Sequence, residues 1–302
     1  MRIFVTGATG VIGRRLIPQL VRLGHSVTAI GRSAESRERL RVAGATPSAV
    51  DLFAPDAVRD AARGHDAVIN LATSIPPSSR ALRRAAWREN DRVRRIVSGH
   101  LVDAALSGGA QRFIQESFAP IYPDRGDEWI DESVPVRPAA YNRSVLDAEA
   151  AAERFTRNGR IGVVLRFAFF YGPDGDFTRD MIRFVRKGWA PVLGSPQAFM
   201  SSVSHDDAAT AVIAALSTRA GIYNVVDDEP LRRREYYDSL ATALGVEPPK
   251  YPPAWLARFA GSVGETLSRS QRISNRRFRE HANWRPAAPS AREGWRRLVV
   301  RL

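Results

Sequence analysis

The stretch Thr6-Gly7-Ala8-Thr9-Gly10-Val11-Ile12-Gly13 follows an apolar run, Ile3 to Val5, and opens a segment of helical spacing, Gly13 to Leu23, that stops at Gly24. Glycines at such a strand-to-helix junction let the backbone come up against a pyrophosphate. The helix N-terminus then adds unpaired N–H groups and the positive end of its dipole. A lone glycine triplet would say little, and it is the position of this one that carries the inference. Gly7, Thr9, Gly10, Val11, Ile12 and Gly13 are therefore candidate phosphate contacts.

Outward from this turn, short apolar or β-branched runs alternate with helical stretches. Ile3 to Val5, Ser26 to Ile30, Ala67 to Leu71, Arg112 to Gln115 and Ile161 to Phe167 read as strands, and Ser78 to Leu106 reads as one long helix ending at Gly108-Gly109. This alternation predicts an α/β chain, a doubly wound parallel sheet with helices on both faces. Turn residues cluster at Pro76-Pro77, Pro123 to Gly126, Gly172 to Gly175 and Pro248 to Pro253, and no internal repeat is visible.

The 302 residues are 44% hydrophobic and 25% charged, which excludes a disordered or fibrous chain. No apolar run approaches the roughly 20 residues of a membrane-spanning helix, and the sequence begins at once with a strand, so a cytoplasmic protein without membrane contact is expected. There is no cysteine, and five scattered histidines show no ligand spacing, so no metal site is expected. The net charge of +13 comes almost wholly from arginine, Lys187 and Lys250 being the two lysines. Arg80, Arg84, Arg88 and Arg92 recur every four residues along the expected helix, with Arg83, Arg94 and Arg95 around them. Further basic groups lie at Arg232 to Arg234 and at Arg272, Arg276, Arg277 and Arg279. Such stripes can follow a phosphate backbone, but no nucleic-acid module accompanies them, and a solvated face is the expectation.

At the end of the second strand, where an Asp or Glu would hold the ribose 2′-hydroxyl of NAD, stands Gly31-Arg32-Ser33, with Arg37 one turn later. A guanidinium beside a hydroxyl suits a 2′-phosphate, so Arg32, Ser33 and Arg37 point to NADP(H).

Together these segments resemble the short-chain dehydrogenase/reductase superfamily, in its extended, epimerase/dehydratase-like branch. The likeness is carried by Thr6 to Gly13, Asp51-Leu52, Asn70-Leu71-Ala72-Thr73, Asn90, Arg166, Tyr171-Gly172-Pro173, Ser204 to Ala208 and Gly221 to Val225. It implies a Rossmann-type NADP-binding domain, 1–166 plus 202–226, and a smaller substrate-binding part, 167–201 plus 227–302. It implies also that Asp51 and Leu52 meet the adenine side of the cofactor, that Leu71, Ala72, Thr73 and Asn90 belong to the same site, and that the protein is a monomer or homodimer. In that family the His205 segment mostly stabilises the junction between the two parts.

The resemblance fails at the reacting centre. The family's serine and Tyr-x-x-x-Lys pair should align with Tyr141 and Val145, so the lysine is missing, and Phe118 takes the serine position with Ser117 one residue before it. Tyr141, and more weakly Ser117, are the catalytic candidates. An unassisted phenol has a pKa near ~10, so at neutrality it can donate a proton but hardly accept one. Reduction needs such an acid, whereas oxidation needs a base. Phe118, Phe169 and Phe170 would offer flat apolar walls to a planar substrate. Glu116, beside Ser117, is expected to be a solvent-facing or arginine-paired carboxylate. The expected activity is NADPH-dependent reduction of a ketone on a bulky aromatic secondary metabolite. The antibiotic-tailoring ketoreductases of this branch that act on angucycline-type polyketides suggest the substrate. Two alternatives remain: a non-catalytic NADP-binding sensor or partner protein, and a non-redox cyclase or isomerase.

Overall fold

The structure, a computed structural model, describes residues 1–300. Seven strands form one sheet: β1 (Arg2–Thr6), β2 (Ser26–Ile30), β3 (Thr46–Ser48), β4 (Ala67–Asn70), β5 (Arg112–Phe118), β6 (Ile161–Phe167) and β7 (Gly221–Val225). Their order is β7-β6-β5-β4-β1-β2-β3, and every pairing is parallel. The doubly wound expectation holds. Strand boundaries read from sequence agree to within a few residues, and β3 and the full length of β5 are additions.

The sheet is apolar on both faces because helices cover both. On one side Ile3, Val5, Ile69, Ile114 and Leu165 pack with residues of the helices Gly13–Arg22 and His205–Ala214. On the other, Phe4, Val68, Phe113 and Val164 meet Val58, Leu101 and Phe155 from three further helices. The helices Asp176–Arg186, Arg233–Leu244 and Ala291–Val299 enclose a separate apolar cluster, including Met181, Leu240 and Trp295, beyond the end of the sheet.

The long helix expected over Ser78 to Leu106 is shorter and broken. Two 3₁₀ turns, Ser78–Arg80 and Arg84–Trp87, precede a helix that begins at Arg88, passes through a π turn at Val93–Val97 and ends at Ser107. No residue between Ala72 and Glu89 is buried, so that segment has no apolar face with which to dock a regular helix. The arginine stripe disappears with it. Arg80 and Arg84 lie outside the helix, Arg92 stacks over the Phe53 ring at 4.0 Å, and Arg94 is turned inward to meet Glu116 at 3.1 Å. Among the described residues no helix is long and apolar enough to cross a membrane, and no group of three His, Asp or Glu side chains could hold a metal ion.

His205 sits where the strand pair Phe169–Tyr171 and Ser202–Ser204 leaves the sheet, so close to the chain that a Cβ on Gly172 would lie 2.0 Å from its Nδ1. Arg15 nearby bridges Asp174 and Asp206, at 2.6 Å each. Burial first, and the Arg15 charge second, lower the pKa of His205 to about 4 from 6.5. An unfolded imidazole takes up its proton below about pH 6.5 and the folded one only near about pH 4, so acidification through that window favours unfolding. The stability advantage of the wild type over His205→Leu, measured by urea unfolding, should shrink by about 2 kcal/mol between about pH 7.5 and about pH 5. A gap independent of pH would mean that folding leaves this pKa unmoved.

Candidate functional site

The strand order reverses between β4 and β1, and the crevice at their carboxyl ends is where doubly wound sheets bind ligands. A cavity of 560 Å³ opens there, lined by Gly7, Thr9, Gly10, Arg32, Asp51, Leu52, Leu71, Ala72 and Thr73 among others. Gly7 has φ +68°, and a Cβ on it would lie 2.2 Å from the Leu71 carbonyl oxygen. A Cβ on Gly13 would lie 2.4 Å from the Gly7 carbonyl oxygen, inside the turn itself. These two glycines are imposed by contact between the turn, the following helix and the end of β4, while Gly10 keeps an open approach from the cavity side. The cradle fits the pyrophosphate of a dinucleotide.

The other expected cofactor residues divide between lining and support. Val11, Ile12 and Gly13 stand behind the turn: Gly13 and Ile12 are buried and Ile12 packs in the core. Arg32 is exposed on the cavity rim. Ser33 caps the helix Ala34–Val42, its hydroxyl accepting from the Ser36 amide at 3.1 Å. Arg37 donates to the carbonyls of Gly31 and Arg32, 3.2 Å each, and so braces the Arg32 loop. Asn90 is fully buried and its Oδ1 accepts from the Ser74 amide at 2.9 Å, so it anchors the chain after β4 instead of lining the cavity. The helix wall is made by Glu89, Val93 and Val97, which sequence reasoning missed. Their spacing of four was the available signal.

At the carboxyl end of β5 the expected catalytic serine is otherwise engaged. Ser117 is 1% exposed, and its hydroxyl donates to Glu149 at 2.5 Å. Glu149 is gripped by Arg166, Nε at 2.8 Å and Nη2 at 2.7 Å, and Arg166 also donates to the Tyr122 hydroxyl, which donates to Asn224. The Ser117 hydroxyl is thus engaged in a buried ion-pair network. Of the two expectations for Glu116, the arginine-paired one holds: it is buried with Arg94 as its partner and does not face solvent.

Phe118 is half-buried and meets Phe169 edge to face, with centroids 5.8 Å apart. Phe170 is half-buried and packs on Phe167 at 5.5 Å and on His205 at 5.9 Å, against the sheet core and away from Phe118. Val145, at the lysine position, is completely buried in the first turn of the helix Val145–Arg157.

Tyr141 is 3% exposed and lies under the Trp87 ring, with centroids 4.7 Å apart. Val263 and Leu267 close the same small cluster. Burial pushes its pKa up to about 12, against the pull of Thr266, Arg94 and Arg269 beside it. This phenol is neutral across the physiological range.

The chain matches the model of the NAD dependent epimerase/dehydratase family over residues 3–225 and belongs to that family. It is 32% identical to a 3-diazoavenalumate denitrifying reductase from a Streptomyces species, over 97% of this chain and 99% of that one. It is 28% identical to the 4-hydroxy-2-methyl-3-oxo-4-farnesyl-3,4-dihydroquinoline-1-oxide ketoreductase of Stigmatella aurantiaca, over 100% and 86%. The human epimerase family protein SDR39U1 (isoform 2), solved with NADPH, superposes with a TM-score of 0.84 at 22% identity, each chain covered completely. An NAD(P)-binding fold and reductase relatives support oxidoreductase chemistry.

In the Gly7→Ala variant both the positive φ and the Leu71 contact become strained. Titration calorimetry with NADP+ should show affinity about 5- to 30-fold below wild type, the equivalent of a backbone strain of one to two kcal/mol. Unchanged affinity would mean that the turn does not cradle the phosphates.

Proposed function

We propose that this protein is an NADPH-dependent reductase that acts on a carbonyl of a bulky aromatic small molecule, with Tyr141 as the proton donor. The observation that carries the reading is the burial of Tyr141, 3% exposed and with Val145 where a lysine would stand: burial raises its pKa to about 12, so the phenol keeps its proton at neutrality and is a poor base. NADPH, when bound, supplies the hydride. As the carbonyl π pair moves onto oxygen, the phenol gives its proton to the alkoxide, and the phenolate left behind faces Arg94 and Arg269 until solvent reprotonates it. Phe118 and Phe169 furnish an apolar, edge-to-face wall where a sugar nucleotide would want polar groups. The exposed guanidinium of Arg32 on the cavity rim supports NADPH over NADH.

A second reading is favoured by Phe118 and Val145 at the serine and lysine positions, together with the denitrifying reductase relative. When an aryl diazonium group accepts a hydride and dinitrogen departs, an aryl hydrogen remains and no alkoxide forms. Such a reaction asks for no acid at an oxygen atom.

Two measurements bear on these readings. In Arg32→Ala, the Kd for NADPH should rise at least about tenfold while that for NADH stays put, as expected for loss of a charge-assisted contact. Equal affinities for the two in the wild type would remove the NADPH preference. Tyr141→Phe should reduce kcat for an aromatic ketone by at least about 100-fold, followed at the nicotinamide absorbance. Full activity of that variant on the ketone would exclude Tyr141 as the donor, and activity confined to aryl diazonium salts would favour the second reading.

A further inference from the structure

Around Tyr141 several buried polar atoms lack a well-made hydrogen bond inside the protein. The Nε of Arg94 and the Nδ2 of Asn90 meet no hydrogen-bond partner among the described residues, and the amide of Asn142 makes none of good geometry, the polar group beside it being the Tyr141 hydroxyl. The three residues are 3%, 0% and 1% exposed. An N–H group left unpaired in the interior forfeits its hydration without return, so folded chains keep few of them. Several at one place mark a position where another molecule supplies the acceptor.

The placement of these groups is specific. Arg94 lies on the π turn Val93–Val97, an irregularity that recurs at functional sites, and it points inward where the arginines before it face solvent. Its Nη2 is committed to Glu116 at 3.1 Å, which leaves Nε–H unused. Asn90 stands four residues earlier, about one turn away, and its Oδ1 is already occupied by Ser74, so only its NH₂ group is available. Asn142 directly follows Tyr141, whose phenol lies within reach of the Arg94 charge. Arg94 and Asn142 thus stand beside the candidate acid, Asn90 lies one helical turn before Arg94, and the Trp87 ring meets the phenol edge to face.

We propose that Asn90, Arg94 and Asn142 form a buried site for an anionic oxygen of the substrate, the phenolate or enolate of a hydroxylated aromatic ring. Glu116 already balances the Arg94 charge, so the site suits a single delocalised negative charge held by N–H groups and not a phosphate or a dicarboxylate. The aromatic neighbours Trp87 and Tyr141 fit the ring that carries the oxygen. This rests on the aromatic-reductase reading above and narrows its substrate class.

The test is binding, read by titration calorimetry on the full chain saturated with NADP+. The probes are 2-hydroxy-1,4-naphthoquinone, an anion at neutral pH, and its neutral 2-methoxy ether. The hydroxy compound should bind the wild type about tenfold more tightly, the usual effect of hydrogen bonds to a charged group. The double variant Arg94→Met/Glu116→Gln removes both charges together, so that neither is left buried alone, and should bring the two affinities to within about twofold. Asn142→Leu, which touches no ion pair, should lose part of the preference, and it serves if the double variant does not fold. Equal affinities in the wild type, no binding of either probe, or a preference that survives in the folded variants would overturn the proposal. No turnover is read, so a protein that prefers the anion yet never oxidises NADPH would sink the reductase reading and leave this site standing.

Discussion

The ion pair between Arg166 on β6 and Glu149 on the helix Val145–Arg157 holds the reacting end of the sheet in register. Two charges are taken out of water here, which favours folding only when each is satisfied on every side. They are: two guanidinium nitrogens meet the two carboxylate oxygens, a third meets Tyr122, and Ser117 completes the carboxylate. Through Tyr122 the network reaches Asn224, so β5, β6, β7 and the helix are tied by one set of hydrogen bonds. The helix starts at Val145, and Tyr141 lies four residues before it, so the network fixes where the phenol stands. It also consumes a serine hydroxyl that sequence alignment would place near the chemistry. A strand-end serine is therefore no sign of catalysis until its partner is known.

What could be read from the residues was whatever depends on local covalent constraint or on periodicity. The glycines at 7 and 13 are demanded by contacts of under 3 Å, and alternating apolar runs gave the strands because both faces of this sheet are covered. The glycine turn and about half of the cavity lining followed. What could not be read depends on what faces a side chain from elsewhere in the chain. Alanine and arginine between positions 80 and 88 favour a helix by propensity, yet nothing lies opposite to bury them, and the segment relaxes into short turns. A π turn leaves no mark in composition, so the inward rotation of Arg94 onto Glu116 was invisible. Phe169 and Phe170 are adjacent and chemically alike, but neighbouring residues of a strand point to opposite faces, and only one reaches Phe118.

At the positions of the family's serine and lysine stand Phe118 and Val145, and the phenol itself is buried against Val263, Leu267 and Trp87, with Arg94 and Arg269 as its charged neighbours. Lowering the local polarity raises the cost of a phenolate and so favours the proton staying on the oxygen, the opposite of what a neighbouring ammonium does.

Trp87 belongs to a stretch without a single buried residue, and its indole N–H is spent locally on the Ala81 carbonyl at 2.8 Å. Displacing the ring therefore disturbs little beyond its own contact with Tyr141. On the reading proposed above, a planar ring packs beside that indole, a contact for which a puckered, heavily hydrated sugar has no matching surface.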